Sequence, residues 1–225
     1  MNELSHVAFI MDGNGRWGIK RNKTRNFGHL QGVKTVQKTV QASIQLKIPI
    51  ITFFVFSTEN WKRPKTEINF LLKLIKSYFK KEIKNIMQNN IKINIIGDKK
   101  KLPLEIKKIL KKVENDTKSN KKLIINLALN YGSKNEIKNA FMRILDQKLK
   151  ITEKSISQNL FTQNLPDPDI LIRTGGKKRL SNFMLWQLSY SEIYFIDKLW
   201  PDFNKLDLIK IINNYKKIIR NYGDI

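Results

Sequence analysis

Apolar positions along the chain alternate between two kinds of segment. Short runs rich in β-branched and aromatic residues stand at positions 7–11, 50–56, 91–96, 123–130, 169–173 and 193–196. Their length and composition predict strands, and the run at 50–56, apolar at nearly every position, predicts one buried on both faces. Longer stretches with helical spacing lie between them. Val33, Val36, Val40 and Ile44 share one face of a helix over 29–46. Ile68, Leu71, Leu72, Ile75 and Phe79 share a face of a second, expected to be capped by Thr66 and to run to about residue 89. Pro103 opens a third, to about 117; two more are expected at 135–148 and 205–220, and 149–168 is less regular. Six strands separated by helices predict an α/β fold: a single domain over residues 1–225, with a six-stranded, largely parallel sheet flanked by helices.

In such a sheet ligands bind beyond the carboxyl ends of the strands, which singles out three segments. After the first strand, Met11-Asp12-Gly13-Asn14-Gly15-Arg16-Trp17 combines a sharp turn with bare backbone N–H groups, an anion site if a helix begins there. A carboxylate beside a phosphate cradle repels its ligand, a conflict that a divalent cation held by Asp12 resolves. After the second strand, Ser57-Thr58-Glu59-Asn60-Trp61-Lys62-Arg63-Pro64 is polar and reads as a binding loop. After the fifth, Arg173-Thr174-Gly175-Gly176-Lys177-Lys178-Arg179-Leu180-Ser181-Asn182-Phe183 sets two arginines and a serine around a Gly-Gly turn, a diphosphate-binding chemistry. Two diphosphate sites are therefore expected. One holds Gly13, Asn14, Gly15, Arg16, Arg25 and His29; the other holds Arg173, Arg179 and Ser181. Asp12 and Glu192 would hold magnesium, and the apolar face of the long helix leaves room for a greasy substrate.

Composition narrows the partners. The net charge is +24, which invites a nucleic-acid reading. Of the 43 basic residues only eight are arginines, and the lysines are spread through the chain beside abundant Ile and Asn. That is compositional drift of an AT-rich kind, so no specific nucleic-acid partner is expected. Arginines kept against a lysine background mark places that need a rigid guanidinium fork. The chain has no cysteine and only two histidines, which excludes disulfides, thiolate nucleophiles, Cys-based metal sites and multi-histidine sites. The longest mainly apolar run, 48–56, is too short to span a bilayer, and no secretory leader is recognised, so a cytoplasmic location is expected, peripheral at the membrane at most.

Taken in order, these segments resemble one known family. His-Val-Ala-Phe-Ile-Met-Asp-Gly-Asn-Gly-Arg-Trp from His6, Phe-Ser-Thr-Glu-Asn-Trp-Lys-Arg-Pro from Phe56, and Arg-Thr-Gly-Gly from Arg173 are similar to motifs of the cis-prenyltransferases. So are Arg-Leu-Ser-Asn-Phe-Met-Leu-Trp-Gln from Arg179, Tyr-Ser-Glu-Ile-Tyr-Phe from Tyr190 and Leu-Trp-Pro-Asp-Phe from Leu199. The resemblance spans His6 to about Tyr222 and is closest to the bacterial undecaprenyl diphosphate synthase type. It implies a homodimer with an apolar tunnel, condensing farnesyl diphosphate repeatedly with isopentenyl diphosphate in cis geometry. The product implied is a long polyprenyl, undecaprenyl, diphosphate, the lipid-carrier precursor for cell-wall glycans. By motif match Asp12 is the catalytic metal-binding carboxylate and Glu192 its partner. Gly13, Asn14, Gly15, Arg16, Trp17, Arg25 and His29 form the allylic-diphosphate site, and Ser57, Thr58, Glu59, Trp61 and Arg63 the substrate loop. Arg173, Arg179, Leu180 and Ser181 form the isopentenyl-diphosphate site.

Asn60 matches the residue usually assigned as proton acceptor. A carboxamide's conjugate acid is too strong for a base working near neutral pH, so Asn60 is expected to orient a water or a diphosphate oxygen that takes the proton. Where the family has Gly-Gly-Arg-Trp-Asp, this chain has Gly132-Ser133-Lys134-Asn135-Glu136, so weaker support of the second site is expected. Leu123, far down the fourth strand from the diphosphates, is expected at the tunnel floor, with Ile68, Leu72 and Ile75 as walls. The rival readings are a nucleic-acid-binding protein and a non-catalytic partner subunit of the same family. The first predicts arginines spread over a surface, the second loss of Asp12 or of the 173–181 segment.

Overall fold

The computed structural model describes residues 2–220. Its strands are β1 (His6–Ile10), β2 (Ile50–Ser57), β3 (Ile91–Ile96), β4 (Leu123–Tyr131), β5 (Ile170–Arg173) and β6 (Glu192–Phe195). They form one sheet in the order β3-β4-β2-β1-β5-β6, and every neighbouring pair is parallel. The helices are α1 (Asn14–Ile19), α2 (Arg25–Gln45), α3 (Lys65–Gln88), α4 (Leu104–Thr117), α5 (Ser133–Asp146), α6 (Glu153–Ser157) and α7 (Lys205–Tyr215). Parallel strands need crossovers, and helices supply them.

The expected strands all form within a residue or so of their predicted bounds. The helix boundaries differ more, for local reasons. α2 starts a turn early because the Thr24 side chain caps it, accepting from the Phe27 N–H at 3.1 Å. That places both Arg25 and His29 on its opening turns. α3 begins at Lys65 with Pro64 at its N-cap, so Thr66 lies inside the first turn and is not the cap. The last helix stops at Tyr215, not at 220. The stretch read as irregular contains α6, held by a cap in which Thr152 accepts from the Ser155 N–H at 3.1 Å.

The two faces of the sheet differ in chemistry. Val7, Phe9, Ile51, Phe53, Ile93, Leu123 and Ile125 belong to the main core, together with residues from α2, α3, α4 and α7. The opposite face carries the small Ala8 and Ala128, packed with Phe183, Met184 and Leu188. It also carries a buried polar ladder. Asn94 donates to Asn126 (3.0 Å), Asn126 donates to the Thr52 hydroxyl (3.0 Å), and Thr52 meets His6 Nε2 (2.7 Å). His6 Nδ1 lies 2.8 Å from the Pro166 carbonyl, which can only accept. The proton is therefore on Nδ1, Nε2 accepts from Thr52, and hydrogen bonds run in one direction across β3, β4, β2 and β1. Thr52, Asn126 and His6 are fully buried, so each of these bonds offsets a desolvation cost.

Burial lowers the His6 pKa to about 4, against the pull of the Pro166 hydrogen bond and of Asp169. The only other histidine, His29, is also lowered to about 4, by burial first and the Arg63 charge second. A histidine held neutral in the folded state contributes stability that is full above its unfolded pKa and falls as pH drops towards the folded one. Between pH 6 and 5, above the usual carboxylate range, the two together should cost up to about 2.7 kcal/mol per pH unit. His6→Gln should roughly halve that slope in urea unfolding series, and an unchanged slope would refute the assignment.

Candidate active site

The parallel arrangement brings three strand ends to one edge. β1 lies between β2 and β5, so Asp12, the segment after Ser57 and Arg173 converge. The Asp12 backbone is fixed: its carbonyl accepts from Trp200 N–H (3.0 Å) and from the Thr174 hydroxyl (2.7 Å). Gly13 follows with φ of 108°, and a Cβ there would stand 2.8 Å from Leu199. α1 then packs so closely on α2 that a Cβ on Gly28 would lie 1.9 Å from the Asn14 carbonyl oxygen. Glycine at these two positions sets the path of the loop.

A polar cavity of about 580 Å³ opens at this edge. Of the predicted site residues it brings together Asp12, Asn14, His29, Ser57, Glu59, Asn60, Arg63, Arg173 and Ser181 along its wall. The Asp12 carboxylate is clamped by Arg16 at 3.1 Å and by Arg173 at 3.0 Å. Arg173 is only 4% exposed; it donates to Ser181 Oγ at 2.7 Å and to the Arg179 carbonyl, while its buried Nε–H has no partner among the described residues. Ser181 and Asn182 both have left-handed backbone, φ 52° and 63°, which bends the loop back over the cavity.

The second cationic group is organised by a residue that the sequence reading did not select. Glu67, on the first turn of α3, accepts from Arg63 (2.9 Å) and Arg25 (3.4 Å) and lies 3.6 Å from His29. Burial works to raise the Glu67 pKa, but the Arg25 hydrogen bond and the Arg63 charge outweigh it and hold it low. The Arg63/Glu67 spacing of four residues was the available signal. Asn182 was missed as well. It donates to Glu59 at 2.8 Å and accepts from the Lys134 N–H at 2.9 Å, joining the β2 loop to the start of α5. The Asn60 carboxamide oxygen accepts from the Ser57 N–H at 3.2 Å. Its amide N–H groups remain as donors to the cavity it lines.

Other predicted residues lie outside the cavity wall. Trp17 donates to Asp202 at 2.7 Å and stacks on Phe27, and Trp61 donates to Asn130 at 2.7 Å. The Arg25 guanidinium lies against Gly15, where a Cβ would come within 2.8 Å of it. Thr58 packs near Gly132, where a Cβ would meet its hydroxyl at 2.5 Å. The Arg179 side chain is exposed, with only its backbone carbonyl bonded to Arg173, and Leu180 packs on the second core cluster. Glu136 is fully buried, accepting from Tyr131 (2.5 Å), Phe161 N–H (2.8 Å) and Gln187 (3.2 Å), so it braces the fold and does not reach the second phosphate group. Glu192 opens β6 opposite Ile170, three positions before the register of Arg173, roughly 10 Å back along the strand. Within the chain it is not brought to Asp12. Among the described residues no three acidic or histidine side chains cluster as a metal site.

Below the polar cavity lies an apolar one of about 120 Å³. The two share Met11, Asn14, His29, Val55 and Leu71, so cationic groups stand at the mouth of a greasy pocket. Of the expected walls Ile75 lines it, joined by Leu74 and Tyr78, whereas Ile68 and Leu72 do not. Leu123 is fully buried core and lines neither this cavity nor the polar one.

Comparison with known proteins places this geometry. A family model described as "Putative undecaprenyl diphosphate synthase" matches residues 10–223. The chain belongs to this isoprenyl transferase family. An isoprenyl transferase of Fusobacterium nucleatum is 45% identical over 100% of this chain and 97% of the relative. One from Helicobacter pylori is also 45% identical, over 100% and 98%. Among solved structures, a probable undecaprenyl diphosphate synthase from Campylobacter jejuni superposes with a TM-score of 0.86 at 39% identity, covering 100% of both chains. Lavandulyl diphosphate synthase from Lavandula x intermedia, in complex with dimethylallyl diphosphate, gives a TM-score of 0.93 at 33% identity over 98% of each. This isoprenyl transferase is thus an enzyme, and its polar cavity is the candidate active site.

In this transferase Glu67 stands in for an anion among three cationic or potentially cationic groups. Glu67→Gln should lower thermal stability by about 1–3 kcal/mol, through the loss of charged hydrogen bonds. Inorganic pyrophosphate should then raise the Tm of the variant more than that of wild type. Equal shifts would show that the three groups do not form one anion site.

Proposed function

We propose that this isoprenyl transferase condenses isopentenyl diphosphate onto farnesyl diphosphate in repeated cis additions, giving a long polyprenyl diphosphate of the undecaprenyl type, a lipid-carrier precursor for cell-wall glycans. The observation that carries the reading is the pairing of two cationic groups with an apolar pocket. Arg25, Arg63 and His29 gather at Glu67, and Arg16 and Arg173 at Asp12; His29, Arg63, Asp12 and Arg173 line one cavity that runs into the greasy one, with Arg16 and Arg25 just behind its wall. The first group suits the allylic diphosphate, whose hydrocarbon then points into the apolar pocket. The second, with Ser181, suits isopentenyl diphosphate.

Each addition breaks the allylic C–O bond and releases diphosphate. The isopentenyl double bond attacks the allylic carbon, forming the new C–C bond, and one isopentenyl proton leaves to restore a double bond. The arginines stabilise charge on the departing diphosphate, the largest catalytic contribution expected of such a site. Asn60, with its oxygen held by Ser57, directs amide N–H groups that orient the oxygen accepting the proton. Magnesium is usually held by one or two carboxylates together with substrate phosphates. Asp12 at the cavity wall fits that habit, and the ion would offset the charge of the leaving group there.

The same reading includes a homodimer working in the cytoplasm at the membrane surface. β6 is an edge strand with Ile193 exposed, and α5 exposes Met142 and Leu145. No helix among the described residues is long and apolar enough to cross a membrane.

Labelled isopentenyl diphosphate, farnesyl diphosphate and magnesium should give labelled polyprenyl products, resolved by chromatography. Asp12→Ala should lower kcat on the order of 10²–10³-fold with the fold intact by circular dichroism; near-wild-type turnover at saturating magnesium would sink its role. Arg173→Lys should raise KM for isopentenyl diphosphate more than that for farnesyl diphosphate, since lysine cannot reproduce the fork. An equal effect on both substrates would remove the division into two sites.

A further inference from the structure

Asn182 sits where three loops meet. It follows Ser181 in the segment after β5, and its side chain bonds to the segments that follow β2 and β4. Its amide nitrogen donates to Glu59 Oε1 at 2.8 Å. Its amide oxygen accepts from the Lys134 N–H at 2.9 Å, and its backbone carbonyl accepts from the Ser133 N–H at 2.8 Å. Those two N–H groups belong to the first turn of α5, whose N-cap is Gly132, with no side chain to cap it. The opening N–H groups of a helix need partners from outside it, and Asn182 supplies them here. Ser133, which stands where the family has its second glycine, returns a bond: its Oγ accepts from the Leu185 N–H at 3.0 Å.

On that side the residue is held firmly. Its neighbour Phe183 is fully buried, stacks on Phe54 of β2 with centroids 4.5 Å apart, and meets Tyr131 of β4 edge-on at 5.9 Å. The Asn182 backbone is left-handed, φ 63°, a conformation that asparagine and aspartate adopt more readily than other side chains. The oxygen end of the carboxamide is thus committed to α5 and the nitrogen end to Glu59.

Glu59 belongs to the short 3-10 helix Thr58–Lys62 in the β2 loop. Trp61 ties this loop to Asn130, and Arg63 ties it to Glu67 on α3. The Glu59 bond ties it to the segment that carries Ser181. Glu59, Asn60, Ser181 and Asn182 all line the polar cavity. Burial works to raise the Glu59 pKa, but hydrogen bonds from Asn182, its own backbone, Ser57 and Thr58 hold it low, so the acceptor is a carboxylate at working pH.

We propose that Asn182 is a positioning residue for the condensation: anchored on α5, it holds the β2 loop through Glu59 and so fixes Asn60 relative to Ser181 on the wall of the polar cavity. The inference rests on the condensing reading above and adds the contact that keeps the two loops of the site in register. Arg63 is held separately by Glu67, so loosening the Glu59 end misplaces Asn60 more than Arg63. The cost falls on turnover and not on affinity for farnesyl diphosphate.

Asn182→Asp separates the two ends. Aspartate keeps an oxygen for the Lys134 N–H and suits the left-handed backbone, but it cannot donate to Glu59 and repels it. Hydrogen exchange of the full-length protein, followed by mass spectrometry, should speed up about two- to tenfold at 58–62 and keep the wild-type rate at 133–135. With labelled isopentenyl diphosphate, farnesyl diphosphate and magnesium, kcat should fall on the order of tenfold while KM for farnesyl diphosphate stays within about twofold, as a small misplacement near the reacting atoms implies. Glu59→Ala should loosen 58–62 in the same way, and adding Asn182→Asp to it should cost no further turnover, because the two residues act through one bond. Unchanged exchange at 58–62 overturns the brace, and so does a loosened loop with unchanged kcat. Losses that multiply in the double variant overturn it as well, since Asn182 would then not act through Glu59. Should Asn182→Asp fail to fold, Glu59→Ala, which leaves the α5 contacts in place, decides by the same readings. If wild type itself incorporates no isopentenyl diphosphate, the substrate reading fails, and exchange at 58–62 alone supports or overturns the brace.

Discussion

A carboxylate and a guanidinium meet where two neighbouring parallel strands end, Asp12 after β1 and Arg173 at the last position of β5, 3.0 Å apart. The rest of the site is arranged around this contact. Arg173 is buried, so its charge needs a partner, and a partner that leaves would expose a strongly desolvated cation. The diphosphate of the proposed substrates would supply such a replacement, with more oxygens and more charge than one carboxylate. The same exchange is available at Glu67 for Arg25 and Arg63. In both groups the protein's own acids hold the arginines in place before a ligand arrives, which limits the reorganisation that binding requires.

Legibility from sequence followed the physics of each element. The six strands were readable because buried parallel strands are apolar almost throughout, and nothing else of that length is. The order of the sheet was not readable, since it depends on pairings between segments far apart in sequence. Asp12, Arg63, Arg173 and Ser181 were selected because loops after parallel strands share one edge, and the structure confirms that convergence. Glu67 and Asn182 escaped notice because their roles are to hold other polar groups. Leu123 shows the opposite case: its depth on β4 is readable, but counting along a strand face does not say whether a position opens onto a cavity or closes inside the core. Glu192 is selected by motif, which does not say that it stands at the amino end of β6.

The charge of the chain looks different once arginine and lysine are separated. Arg16, Arg25, Arg63 and Arg173 make the ion pairs of the site. Lysines such as Lys108, Lys111 and Lys112 sit on exposed turns of α4. Net charge therefore carries little information here, whereas the choice of cation carries much.

The polar ladder of His6, Thr52, Asn126 and Asn94 also bears on how the chain reaches this fold. These residues come from four strands spread over much of the chain, and each amide or hydroxyl finds its partner only in one alignment. A slip of one residue in any of these strands would turn the polar groups into the apolar core and leave them without partners. Apolar strands alone distinguish poorly between neighbouring alignments, since one branched side chain replaces another at small loss. The ladder makes misaligned sheets costly. It singles out the native register from its neighbours, and it does so on the face away from the apolar pocket, where it places no demand on the chemistry.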